Sequence, residues 1–300
     1  MKPLSTSTRR EFLHRGVAAG LISGAAKSAA AAETQPAPPF EVKLIDTNCY
    51  IGQWPIRHLP LAEDAGKLAE KLKSQNVSEA WVGSLDALLH KDLKRVNEGI
   101  RDAWVQHPTL FKPVGAINPT LPRWEDDLKF CLEHGFKVIR LHPNYHGYKL
   151  DDRRFVDVVE QAAVNDLAVQ IAVVMEDERT QNAMWRVPPV DLSPLQTLWS
   201  KNANFREAHV MLLNWQRSGL GKSNLDLLKH TLYFDIAMLE GIMGIESLLM
   251  EVPATHIVFG SYAPVFYFES AKLKLQESAL EGKNLNAIAH ENATRFLQPL

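Results

Sequence analysis

Short apolar runs followed by longer stretches of helical spacing recur along most of the chain, and this alternation limits the fold more than any other feature of the 300 residues. The runs are Val42 to Asp46, Glu79 to Ser84, Phe111 to Ile117, Lys137 to His142, Ala168 to Val174, His209 to Asn214, Leu232 to Ile236 and His256 to Gly260. Each reads as a strand. Between them, apolar residues return at about 3.6-residue spacing over Glu63 to Ser74, Asp92 to His107, Arg123 to His134, Asp152 to Asn165, Ser193 to Lys201, Leu239 to Glu251 and Glu269 to Glu281. The piece from Asn214 to Thr231 carries a weaker helical pattern. This strand and helix alternation predicts an α/β chain folded as a single-domain (β/α)8 TIM barrel in preference to an open doubly wound sheet. No Gly-x-Gly-x-x-Gly follows the first strand, so the dinucleotide-binding sheet loses its usual mark, and no cofactor is expected.

The barrel accounts for residues 41–300. Ahead of it, Thr8-Arg9-Arg10-Glu11-Phe12-Leu13-His14, a Gly/Ala-rich apolar stretch from Gly16 to Ala26 and Ala30-Ala31-Ala32 together resemble a twin-arginine signal peptide over residues 1–32. The competing reading is a basic tail with a chance Arg-Arg pair. Residues 33–40, with Pro36, Pro38 and Pro39, suit a linker, because proline ends both helices and central strands. The expected partners during targeting are the twin-arginine export machinery, and the expected compartment is the periplasm. Removing residues 1–32 takes away Lys2, Arg9, Arg10, Arg15, Lys27 and Glu11, leaving 28 basic and 34 acidic side chains and a formal charge of −6. That balance argues against a nucleic-acid binder. No run nears the roughly 18 apolar residues of a membrane span. Cys49 and Cys131 fall on a strand end and an outer helix, which favours two free, partly buried thiols over a disulfide.

In barrels of this kind the working residues sit where strands end. Those ends carry Leu44-Ile45-Asp46-Thr47-Asn48-Cys49-Tyr50-Ile51-Gly52, then Gly135 to Pro143 ending in Arg140-Leu141-His142-Pro143, then Ile257-Val258-Phe259-Gly260-Ser261-Tyr262-Ala263-Pro264. With the closing Glu291 to Leu297, these segments resemble the amidohydrolase-related family of metal-dependent hydrolases and decarboxylases. The resemblance implies metal ligands at five positions, and here they hold Asn48, Tyr50, Ala172, Asn214 and Tyr262. Amide, phenol and methyl groups do not make a zinc site. The expectation is therefore a chain without the inherited metal. A relocated site built from His142, His146, Glu176 and Asp177 stays open as an alternative.

What the strand ends offer in place of a metal is a set of proton-transfer and hydrogen-bonding groups. His142-Pro143-Asn144-Tyr145-His146-Gly147-Tyr148-Lys149 follows strand four, and Met175-Glu176-Asp177-Glu178-Arg179 follows strand five. The expected catalytic residues are His142, His146, Glu176, Asp177 and Tyr262, as acids and bases. Asn48, Tyr50, Arg57, Asn144, Tyr148, Arg179 and Asn214 are expected to bind substrate. Structural alternatives stand beside several of these: a loop brace for His142, a surface position for His146, a solvated helix start for the acidic run. A buried Asp235 needs a partner, and Arg140 is expected to supply a salt bridge. The resulting functional expectation is an exported, metal-independent hydrolase acting on a lactone, ester or amide of a small polar or acidic molecule. A decarboxylase or lyase of the same family and a non-catalytic small-molecule binder are the alternatives.

Overall fold

Eight parallel strands, each paired with the next in chain order, make the sheet: β1 (Leu44–Ile51), β2 (Val77–Ser84), β3 (Phe111–Ala116), β4 (Val138–Leu141), β5 (Ala168–Ala172), β6 (Val210–Leu213), β7 (Leu232–Asp235) and β8 (Ile257–Val258). The structure, a computed structural model, describes residues 42–55, 57–177, 179–215 and 232–298. The expected leader, the linker, Glu178 and nearly all of the weak helix between Asn214 and Thr231 lie outside the described residues. The ring closes where the last strand reaches the first. Thr47 N donates to Phe259 O at 3.0 Å, and Tyr50 N donates to Ala263 O at 2.9 Å. This is the expected (β/α)8 barrel, and every expected strand is present.

Strand bounds fall within about three residues of the sequence reading except at the end of β1, and the shifts in β1 and β8 have physical causes. β1 continues five residues beyond Asp46, because its polar tail Thr47-Asn48-Cys49-Tyr50 gains ladder bonds on both sides, from β2 and from the closing segment. β8 is reduced to two residues, since Phe259 N turns away to Ile288 O at 2.8 Å.

The helices start where a short acidic side chain can satisfy a free backbone N–H. Asp64 caps α1 (Ala65–Ser74), Asp92 caps α2 (Leu93–Gln106), and α3 (Trp124–Glu133) begins without a side-chain cap. After β4 comes the single turn α4 (Pro143–His146), and Asp152 then caps α5 (Arg153–Val164). Each longer helix buries one stripe against the sheet, as Val96, Ile100 and Ala103 do in α2. Strands β4, β5 and β6 are buried at every position, the pattern of strands covered on both faces.

Inside the ring the side chains form layers. Trp81, Val114, Val138, Ala168, Met211 and Val258 fill the end from which the strands start, where Phe296 stacks on Trp81 with ring centroids 6.0 Å apart. One step up, at alternate strand positions, apolar filling gives way to Arg140 and Gln170. Cys49 and Cys131 are both free, as expected, and both are fully buried where partial burial was expected. Among the described residues no helix is long and apolar enough to cross a membrane.

Candidate functional site

The polar layer begins with an irregularity in β1. Its register with β2 shifts between Asp46 and Cys49, leaving carbonyls that the ladder does not use. Arg140 takes them: its guanidinium donates to Cys49 O at 3.1 Å, to Thr47 O at 3.3 Å and, through Nε, to Gln170 Oε1 at 2.8 Å. Gly83 makes room, since a Cβ there would stand 3.0 Å from Nη1. Tyr50 covers the guanidinium, its ring centroid 4.2 Å from Cζ. The expected Arg140 to Asp235 salt bridge is therefore corrected. Arg140 spends its donors on backbone carbonyls and an amide, and Asp235 is held by neutral donors.

Those donors form a closed knot at the strand ends. Asn48 Nδ2 donates both to Asn214 Oδ1 at 2.8 Å and to Asp235 Oδ2 at 2.7 Å. Asn214 N and Ala237 N donate to Asp235 Oδ1 at 3.0 and 3.3 Å, and Asn214 Nδ2 donates to Val174 O at 2.8 Å. Asn214 adopts φ 56° to do so, a left-handed conformation that asparagine tolerates. Gly260 permits the approach, because a Cβ there would meet Asp235 Cβ at 2.7 Å and Asn48 Cβ at 3.1 Å. Burial pushes the Asp235 carboxyl up to about 7 against the pull of these donors. Asp46, beside the knot, accepts from Ser261 N at 2.9 Å and Ser261 Oγ at 2.5 Å.

A second tier of rings covers the knot. Tyr50 Oη lies 3.3 Å from His142 Nε2, and Tyr262 Oη donates to Met175 O at 2.7 Å. Tyr262 sits at φ 59°, which is costly for a bulky residue and fixes its ring edge-on to Tyr50 at 5.6 Å. Burial, together with nearby His146 and Arg140, holds His142 well below the ordinary imidazole range. Burial likewise brings His146 down to about 4, although its Nε2 bonds to Ala87 O at 2.9 Å. Both rings are neutral at pH 7.

Above these rings the loops after β1, β4 and β5 meet. Trp54, Pro55, Tyr145, Glu176, Trp185 and Val187 enclose a recess of about 10 Å³, room for about one water centre. Among the described residues nothing hydrogen-bonds or pairs with the Glu176 carboxyl, and burial raises it while the more distant Arg57 pulls it down. Asp177 contrasts with it. Its carboxylate grips Arg179, whose side-chain and backbone donors hold it at about 2, and both face solvent beside Glu240.

Of the expected site residues, Asn48, Tyr50, His142, Asn214 and Tyr262 converge, joined by Asp235. Glu176 stands over them with Trp54. Asp177 and Arg179 neutralise each other on the rim. Asn144 ties α4 to Pro188 O, Tyr148 packs on Phe155 at 6.4 Å, and Arg57 lies exposed 5.8 Å over the Trp54 ring. Sequence reading missed Gln170 and the aromatic wall of Tyr145 and Trp185. Gln170 had a visible signal, a polar residue within the buried run of β5. Several buried polar atoms at this end have no hydrogen-bond partner among the described residues: Asn48 Oδ1, Trp54 Nε1, His142 Nδ1, His146 Nδ1 and Tyr148 Oη. Each costs about 1–3 kcal/mol if left unmet, and such groups gather where a ligand or water is to be bound.

Several solved structures share this architecture. 2,6-Dihydroxybenzoate decarboxylase from Rhizobium superposes with a TM-score of 0.68 at 9% identity, covering 85% of this chain and 98% of its own. 5-Carboxyvanillate decarboxylase from Novosphingobium aromaticivorans, complexed with manganese and 4-hydroxy-3-methoxy-5-nitrobenzoic acid, gives 0.67 at 13% identity over 85% and 96%. 4-Oxalomesaconate hydratase from Rhodopseudomonas palustris gives 0.58 at 13% identity over 85% and 95%. What they share with this chain is the eight-stranded parallel (β/α)8 barrel. Likeness at this identity is one of fold, and no protein-family model or curated protein matches the sequence.

A metal of the kind held by the 5-carboxyvanillate enzyme does not fit the residues present here. Divalent manganese calls for several oxygen or imidazole donors with free lone pairs. At these strand ends the carboxylates are engaged by neutral donors, Asp235 by Asn48 Nδ2, Asn214 N and Ala237 N and Asp46 by Ser261 N and Oγ, and Asn48 turns both amide hydrogens inward. Among the described residues no three His, Cys, Asp or Glu side chains converge on a common point.

Proposed function

We propose that this protein is a metal-independent hydrolase of the amidohydrolase fold, with Glu176 as its general base. The supporting observation is the pairing state of the mouth carboxylates. Asp235 is locked in the knot and Asp177 is neutralised by Arg179, whereas Glu176 is half-buried, unpaired among the described residues and raised above the ordinary carboxylate value by burial, against the pull of Arg57. A half-buried carboxylate without a competing partner can take a proton from a water molecule held beside it. The resulting hydroxide adds to the carbonyl carbon of an ester, lactone or amide, the bond to the leaving oxygen or nitrogen breaks, and Glu176 returns the proton to it. His142 and Tyr262 are sealed below, so they orient the floor of the site.

The test is a panel of esters, lactones and amides assayed by pH-stat, followed by Glu176→Gln on whichever is turned over. Removal of the base is expected to lower kcat by about 10²- to 10⁴-fold, and Asp177→Asn to leave it within about threefold. Retained turnover in Glu176→Gln refutes the assignment. A second reading, decarboxylation, draws support from the fold shared with two decarboxylases. Release of carbon dioxide in place of acid would select it, and tight binding without chemical change would select a non-catalytic binder.

We also propose export by the twin-arginine pathway and cleavage after residue 32. Replacing Arg9 and Arg10 by lysine is expected to leave uncleaved protein in the cytoplasm, and an unchanged distribution refutes it.

A further inference from the structure

Beside the Glu176 recess, a larger cavity of about 410 Å³ opens between the loop after β1 with α1 and the loop after β8 with the helix Phe268–Glu277. Its volume falls within the range of small-molecule sites. Leu59, Leu61, Val265 and Phe266 give it apolar walls. Most polar groups at its edge are partnered: Lys71 pairs with Glu269, and the imidazole of His58, itself a lining residue, meets Glu63 at 2.7 Å. Arg57 is the exception, with no carboxylate in contact among the described residues. Its guanidinium lies over Trp54, the residue that also walls the Glu176 recess, and its charge is felt at Glu176. One short segment therefore borders both spaces.

We infer that this cavity is the subsite for an organic acid with an apolar or aromatic body, Arg57 receiving the carboxylate and the leucine and phenylalanine walls the body. The inference rests on the hydrolase reading for the position of the bond to be cut, which it places toward Glu176. Apolar walls alone would take neutral ligands equally well. A single unpaired guanidinium at the edge of such walls selects for an anion, because a charge-assisted hydrogen bond gains strength where water is partly excluded.

Two isosteric probes separate the parts of this claim: 2-naphthoate and 2-naphthamide, titrated calorimetrically into the whole protein. Naphthoate is expected to bind about tenfold tighter, in line with a charged hydrogen bond worth about 1.5 kcal/mol. Arg57→Gln, a change at an exposed loop position, should erase that preference while leaving naphthamide binding unchanged. Val265→Asp should weaken both probes, naphthoate more. Equal binding of the two probes, a preference that survives Arg57→Gln, or no binding of either overturns the inference. Glu176→Gln keeps the outcomes apart, since it removes the proposed base yet should bind naphthoate at least as tightly as the parent. Failure of the hydrolase assay with Arg57-dependent binding intact would count against the chemistry alone.

Discussion

Replacing Asn48 by leucine removes the donor that holds the knot together while keeping the branched shape and heavy-atom count of the side chain, so the polar contribution can be measured without opening a cavity. Asn48 Nδ2 is the donor to both Asn214 Oδ1 and Asp235 Oδ2, at 2.8 and 2.7 Å. Loss of each leaves a buried acceptor short of a partner, at about 1–3 kcal/mol apiece, and together about 4 kcal/mol. For a domain of this size that corresponds to a Tm about 10 °C lower by scanning calorimetry. The cost should depend on pH. Burial raises Asp235 to about 7 in the folded state, above its ordinary unfolded value, so its contribution to stability is present at low pH, declines as pH rises through the window from about 4 to 7, and is flat above. At pH 8 the lost bond is to a carboxylate, at pH 5 to a neutral acid, and the difference between those classes is about 1 kcal/mol. The destabilisation should therefore be larger at pH 8 by about that amount. Adding Asp235→Asn should recover part of it, giving a coupling energy of at least about 1 kcal/mol in a double-mutant cycle. A loss below about 1 kcal/mol, or one that is the same at both pH values, would refute the idea that this knot carries the strand ends.

Arg140→Met leaves the carbonyls of Thr47 and Cys49 and the Gln170 amide short of donors in a dry layer, and urea denaturation should show a loss of about 3 kcal/mol. An unchanged midpoint would show that β1 holds its bulge unaided. His146 is lowered to about 4, below its unfolded value near 6.5, so the native state loses stability as pH falls from about 6.5 to about 4. His146→Gln should remove about 2 kcal/mol of that loss, read as a flatter stability profile than the parent over the same window. Cys49 and Cys131 are both buried and raised in pKa by burial, so a thiol reagent should label neither in the native protein and both after denaturation.

The barrel was readable from the sequence because its signals are local. Strands such as Val138–Leu141 and Ala168–Ala172 are unbroken buried runs, and helices such as Leu93–Gln106 and Arg153–Val164 open at aspartates that cap them. The candidate site was half readable. Asn48, Tyr50, His142, Asn214 and Tyr262 sit at strand ends and do converge, since strand direction alone brings such positions to one mouth. Charge pairing was not readable. Asp177 and Glu176 are neighbours in sequence, yet a local turn gives one of them to Arg179 and tucks the other under Trp54 and Trp185. Arg140 reaches β1 because of a register shift that no residue pattern announces.

The seam between β1 and β8 joins positions 212 residues apart, with the Thr47 hydroxyl and amide both bonding to Phe259 O. Such distant pairing is slow to form, since the chain entropy of a long loop must be met first. During synthesis, then, the nascent cylinder stays open until the Ile257 to Ala263 segment leaves the ribosome, with two raw strand margins exposed to neighbours. Early truncation should yield aggregates in place of a smaller working piece.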